Sequence, residues 1–163
     1  MKFLVLRSDL KRKLKYINLL IIDAEIFAAE IKEAGGLLCE KIEPDNLKSL
    51  LEKNMRIVLS SNTLNGGYDN LVNGSDIKYI PLDGLSYKEF IERLCADYGL
   101  NNTQVAFINK TEQDNDLLSG LNFSVATIDA PLELKTASYY VSNFTGTDTL
   151  NEILQIINQA KNG

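Results

Sequence analysis

The chain has 163 residues, 45% hydrophobic and 24% charged, enough for a single domain with a real core. A net charge of −5 without a basic block argues against nucleic acid or an anionic membrane as the main partner, and no apolar run approaches the length of a membrane span. Histidine is absent, which removes every Ser-His and Cys-His mechanism and any His-ligated metal, and Cys39 and Cys95 have no metal spacing and read as reduced thiols of a cytoplasmic protein.

Met1 to Leu6 is too short and too soon charged for a signal peptide, and Asp9 to Tyr16 reads as a basic helical lead-in. Ile17 to Ile22 is a nearly continuous apolar run that suits a strand buried on both faces, ending in the acidic residues Asp23 and Glu25. Two apolar arms around Gly35-Gly36 predict a β-hairpin over residues 27–42. Asp45 is the expected cap of a helix from Asn46 to Asn54. Arg56 to Ser61 reads as a second strand ending in hydroxyls, Asn62 to Gly74 as a polar stretch with a weak helix at Tyr68 to Val72, and Ile77 to Ile80 as a third strand. A helix from Ser86 to Tyr98 closes at Gly99. Val105 to Ile108, Phe123 to Ile128 and Tyr139 to Val141 are further strands, with helical pieces at 114–118 and 131–136 and an amphipathic helix over 150–160. Strands alternating with helices predict one doubly wound, mostly parallel α/β domain over residues 1–163.

Carboxylates and hydroxyls at the carboxyl ends of such strands lie where open α/β sheets bind ligands. Three of these ends are Asp23/Glu25, Ser61 and the stretch Asn109 to Asp114. Their order and spacing, with the later cadence Gly120-Leu121, Ser124-Val125-Ala126, Asp129-Ala130-Pro131, Lys135, Ala137 and Tyr140-Val141, resemble the haloacid dehalogenase (HAD) superfamily. The pattern is most similar to its small tetrameric branch, the 3-deoxy-manno-octulosonate (KDO) 8-phosphate phosphatases. The resemblance implies a Rossmannoid fold, a homotetramer built through the hairpin, a Mg²⁺ cofactor and a sugar-phosphate ligand.

It also assigns roles to positions. Asp23 takes the place of the family's nucleophile, Glu25 that of its acid/base aspartate, and Ile26 that of the following glycine. An extended backbone sends Asp23 and Glu25 to one face, so that one attacks phosphorus while the other handles protons. Ser61, with Ser60 as the neighbouring alternative, and Asn62 match the phosphate-holding hydroxyl and the glycine after it. The phosphate-binding lysine falls at Tyr87 or, with a shifted helix, at Lys88.

The fourth motif reads Asn109-Lys110-Thr111-Glu112-Gln113-Asp114 against Gly-Asp-Asp-x-Asn-Asp in the family. Lys110 thus occupies the position of a metal-ligating carboxylate, leaving Asp23 and Asp114 as metal ligands. An ammonium ~4 Å from Mg²⁺ would be repelled by roughly 8 kcal/mol at an effective dielectric of about 20. The expectation is therefore a phosphatase-like protein that does not bind the metal, with Lys110 pairing with Asp23 instead, or pointing into solvent. The competing readings are an active Mg²⁺-dependent phosphomonoesterase working through an aspartyl-phosphate, and a small-molecule-binding α/β module; no glycine-rich phosphate loop supports the last.

Overall fold

The computed structural model describes residues 8–28, 41–62, 72, 75–110 and 115–162. Among these residues six parallel strands form one sheet: β1 (Leu19–Asp23), β2 (Arg56–Ser60), β3 (Lys78–Tyr79), β4 (Val105–Asn109), β5 (Phe123–Ala126) and β6 (Tyr140–Val141), in the spatial order β3-β2-β1-β4-β5-β6. The chain starts at the middle, winds outward to one edge, crosses back and winds to the other. All carboxyl ends consequently share one edge, and the crossing point falls between β1 and β4. β1 is buried at every position, as a central strand covered on both faces must be.

Side-chain alternation along the strands divides the core in two. Leu20, Ile22, Ile57, Leu59, Ala106 and Ile108 pack with α1 (Ser8–Leu14), α2 (Pro44–Glu52) and the long α6 (Gly146–Asn162). Leu19, Ile21, Val58, Val105 and Phe107 pack on the other face with α3 (Tyr87–Tyr98), α4 (Asn115–Gly120) and α5 (Leu132–Ala137). α3 has the boundaries its sequence dictates: the Ser86 side chain accepts from the Glu89 N–H, Glu89 reaches back to the Ser86 N–H, and Gly99 ends the helix in the left-handed region at φ 68°.

Two local expectations are corrected. α2 begins at Pro44, not after Asp45, because proline lacks the N–H that the first helical turn leaves unused; Glu43 is its N-cap residue and Asp45 lies within the first turn. The expected hairpin arm starting at Phe27 is also displaced at its described start. The backbone turns into a 3-10 helix over Ala24–Phe27 directly after β1, and residues 29–40 lie outside the described residues. The weak helix expected at 68–72 falls outside them too, except for Val72. Where the chain returns, the Asn151 side chain on α6 accepts from the Glu43 N–H at 2.8 Å and donates to the Lys41 carbonyl at 3.1 Å.

Candidate functional site

Asp23 ends the central strand, is 1% exposed, and stands directly opposite Ser60 in the β1–β2 register. Partners in a parallel pair project to the same face, so Asp23 and Ser60 lie side by side on the face that carries α3. Asn109 follows Ile108, the partner of Ile22, and so extends this row onto β4.

The turn after β1 fixes the Asp23 carboxylate. Its Oδ1 accepts the Glu25 N–H at 3.1 Å as the N-cap of the 3-10 helix, and its Oδ2 receives the Lys110 backbone N–H at 3.4 Å from across the sheet. Backbone donors of this kind favour the ionised carboxylate. The helix also changes the relation between the two acids: the extended arrangement expected for Asp23 and Glu25 is absent, and Glu25 sits one turn on, partly buried, with Ala24, Ile26 and Phe27 turned into the core.

On the β2 side both hydroxyls are buried, Ser60 completely and Ser61 to 1% exposure, while Asn62 is exposed. Among the described residues, the Ser60 Oγ has no hydrogen-bond partner. The Ser61 carbonyl accepts the Leu82 N–H at 3.0 Å and so ties the end of β2 to the turn before α3. The structure also separates the two candidates of the third motif. Tyr87 is the inward residue at the start of α3, its ring 4.7 Å from that of Phe107 and its hydroxyl 3.5 Å from the Ser60 carbonyl oxygen. Lys88 is exposed, so the helix brings tyrosine to the strand ends where the resemblance led to a lysine.

Lys110 makes a contact that was not expected. Its ammonium pairs with Asp129 at 3.0 Å where a pair with Asp23 was expected, its backbone N–H reaches Asp23, and the side chain is 26% exposed. The cause is topological: Asn109 and Ala126 are partners in the β4–β5 register, so the loops that follow start side by side. Burial pushes the Asp129 carboxyl up, but the nearby Thr127 hydroxyl together with the bond and charge of Lys110 outweighs it and holds the group below the ordinary carboxylate range. Asp114 and Thr111 lie outside the described residues. Among the described residues, no three acidic, cysteine or histidine side chains gather in a geometry that could hold a metal ion.

No protein-family model matches the sequence, and no curated protein sequence matches it. Solved structures do. The KDO 8-phosphate phosphatase of Moraxella catarrhalis, solved with magnesium, phosphate and KDO, superposes with a TM-score of 0.76 at 15% identity, covering 95% of this chain and 93% of the other. The chain has the fold of the KDO 8-phosphate phosphatases. The Yersinia pestis enzyme superposes with a TM-score of 0.71 at 16% identity over 95% of this chain and 88% of its own. The cobalt-bound phosphatase of Haemophilus influenzae gives 0.69 at 18% identity over 92% of each chain. The HAD-like architecture read from the order of strand ends is thus the observed one. In this fold the end of the central strand and the start of the β4 loop face each other, and here they present Asp23 and Lys110.

Two groups at the site escaped the sequence reading. In the sequence Asp129 is only one residue of a cadence; the usable signal is an acid a few residues past a strand whose neighbour is followed by lysine. Ser60 was an alternative to Ser61, and its register with Asp23 becomes readable only once the pairing of β1 and β2 is known.

Proposed function

We propose that this chain is a HAD-like phosphatase homologue that has lost the metal-dependent reaction and keeps a binding or assembly role. The observation that carries this reading is Lys110: at the position where the resemblance implies a metal-ligating carboxylate, the chain places a cation already committed to Asp129 at 3.0 Å. The residues present do not fit magnesium. A hard dication wants near-octahedral oxygen ligation, and lysine stands at position 110 where the resemblance implies a carboxylate ligand, which leaves Asp23 and Asp114 of the implied set. Direct repulsion is the lesser part of the argument, because Asp129 offsets much of the Lys110 charge; the missing ligand is the greater part. Tyr87 supports the same reading, since a neutral phenol cannot balance phosphate as an ammonium does. As part of this reading, residues 27–42 mediate a homotetramer in the cytoplasm.

The second reading is an active phosphomonoesterase on a phosphorylated sugar acid. One observation favours it: Asp23 is buried at the end of the central strand with a backbone N–H directed at each oxygen, an orientation suited to a nucleophile. In that case Glu25 protonates the leaving oxygen and then activates water, while Ser61 and Asn62 hold phosphate oxygens. Hydrolysis of p-nitrophenyl phosphate and of sugar-acid phosphates, with and without millimolar Mg²⁺, separates the two. No turnover with a stable tetramer supports the first reading; metal-stimulated turnover abolished by Asp23→Asn establishes the second.

A further inference from the structure

We propose that a cleft beside the β3 edge of the sheet binds a small zwitterion with an apolar body, an amino acid with a branched or aromatic side chain, with Arg93 holding its carboxylate and Asp83 its ammonium. Asp23, Ser60, Ser61 and Tyr87 do not line this cleft, so the inference stands apart from the reading of the strand-end site.

The cleft arises where the chain leaves β3. Ile80 and Leu82 continue the pairing with β2, their N–H groups donating to the Leu59 and Ser61 carbonyls at 3.0 Å, and the chain then turns at Asp83 and Gly84 into α3. Because the strands are all parallel, α3 has to run back antiparallel to β3. Between the two elements lies a cavity of about 380 Å³, within the range of roughly 300–1,000 Å³ common to small-molecule sites. Buried Leu82, Phe90 and Leu94 form its apolar floor. The ring of Tyr98, covered by the Arg56 guanidinium at 4.1 Å, stands at one end. Pro81, on the same stretch, has no N–H to offer an added strand, so this edge suits a compact ligand and not a β-strand from a partner.

The rim supplies two charges of each sign: Lys78 and Asp83 from the strand side, Arg93 and Asp97 from α3. With the two elements antiparallel, Asp83 lies toward Arg93 and Lys78 toward Asp97. Opposite charges thus meet across the cleft, yet none of the four has an ion-pair or hydrogen-bond partner among the described residues. The cleft stays open between them. A lone anion would meet two carboxylates and a lone cation two bases, whereas a zwitterion satisfies both signs while its apolar body displaces water from Leu82, Phe90 and Leu94. Arg93 takes the carboxylate because a guanidinium can hold one through two parallel N–H···O bonds.

Isothermal titration calorimetry of the full chain with L-leucine and L-phenylalanine tests this. The counter-probes are isocaproate, which keeps the carboxylate alone, isoamylamine, which keeps the ammonium alone, and glycine, which lacks the apolar body. The expected result is saturable binding of at least one of the two amino acids, with all three counter-probes bound more weakly. Arg93→Gln and Asp83→Asn should each weaken it about tenfold or more, the size expected for a lost hydrogen bond between charged groups. Both side chains are exposed, and asparagine tolerates the left-handed backbone at position 83 (φ 55°), so both variants should fold. No binding of either amino acid, unchanged binding by either variant, or a counter-probe bound as tightly as the amino acids overturns the proposal.

Discussion

The Tyr87 hydroxyl lies 3.5 Å from the Ser60 carbonyl oxygen, while its ring rests 4.7 Å from that of Phe107. One side chain thus joins the first turn of a helix to the last residue of β2, and most of its contribution comes from the ring because the polar contact is long. Tyr87→Phe should cost less than about 1 kcal/mol, at the low end for a hydrogen bond. Tyr87→Ala should cost on the order of 3–5 kcal/mol, as for other large aromatic truncations in a core. Urea unfolding of both variants checks this, and equal losses would show that the hydroxyl dominates.

Lys110→Asp returns a carboxylate to the strand end and releases Asp129 from its ion pair. The variant should bind Mg²⁺ at least tenfold more tightly than the wild-type chain in calorimetric titration. No gain would mean that the loss of metal binding has another origin than residue 110.

The Lys110–Asp129 pair should show itself in acid. The Asp129 carboxyl is held below its ordinary value in the fold, so its stabilisation is present above the unfolded-state pKa and disappears as pH falls through the folded one. Both side chains are partly exposed, at 26% and 43%, which limits the effect to about 0–1 kcal/mol after solvent screening. Asp129→Asn should thus lower the melting temperature slightly at neutral pH, and the difference from wild type should shrink as pH falls below the unfolded-state aspartate value of about 3.9. A difference that persists there would point to packing, not charge.

Tyr140 gives the alkaline counterpart. Burial, then the charge and hydrogen bond of Glu152 at 3.2 Å, push its phenol up to about 12. A raised phenol pKa means that the fold prefers the neutral form: the contribution is complete below the unfolded value near 10 and is lost as pH rises through about 12. Phenolate absorbance should therefore show one tyrosine ionising late, and Tyr140→Phe should remove that step. Persistence of the late step in the variant would assign it to another tyrosine.

Much of the fold was legible because buried parallel strands advertise themselves. Ile17 to Ile22 and Val105 to Ile108 are continuous apolar runs that suit a two-sided environment, and Ser86, Glu89 and Gly99 bound a helix by known capping chemistry. The misread points depend on information that neither periodicity nor composition carries. Pro44 overrode Asp45 through its missing N–H. The 3-10 turn after Asp23 separated two acids that an extended chain would have aligned. The partner of Lys110 is 19 positions away along the chain and is brought close only by the pairing of β4 with β5. Which residue at the start of α3 turns inward needed the helix's rotation, and spacing alone left Tyr87 and Lys88 open.

The grip of Asn151 on both Lys41 and Glu43 has an evolutionary corollary. A clasp at the point of re-entry, with the 3-10 helix packed at the point of departure, isolates the sheet from whatever lies between. Once the two ends of a connection are held, each doubling of its length costs only about 0.6 kcal/mol. With Ala28 and Lys41 both anchored, insertions between them should leave the strand ends in place, which makes this the point where a lineage can acquire new attachments without rebuilding its core.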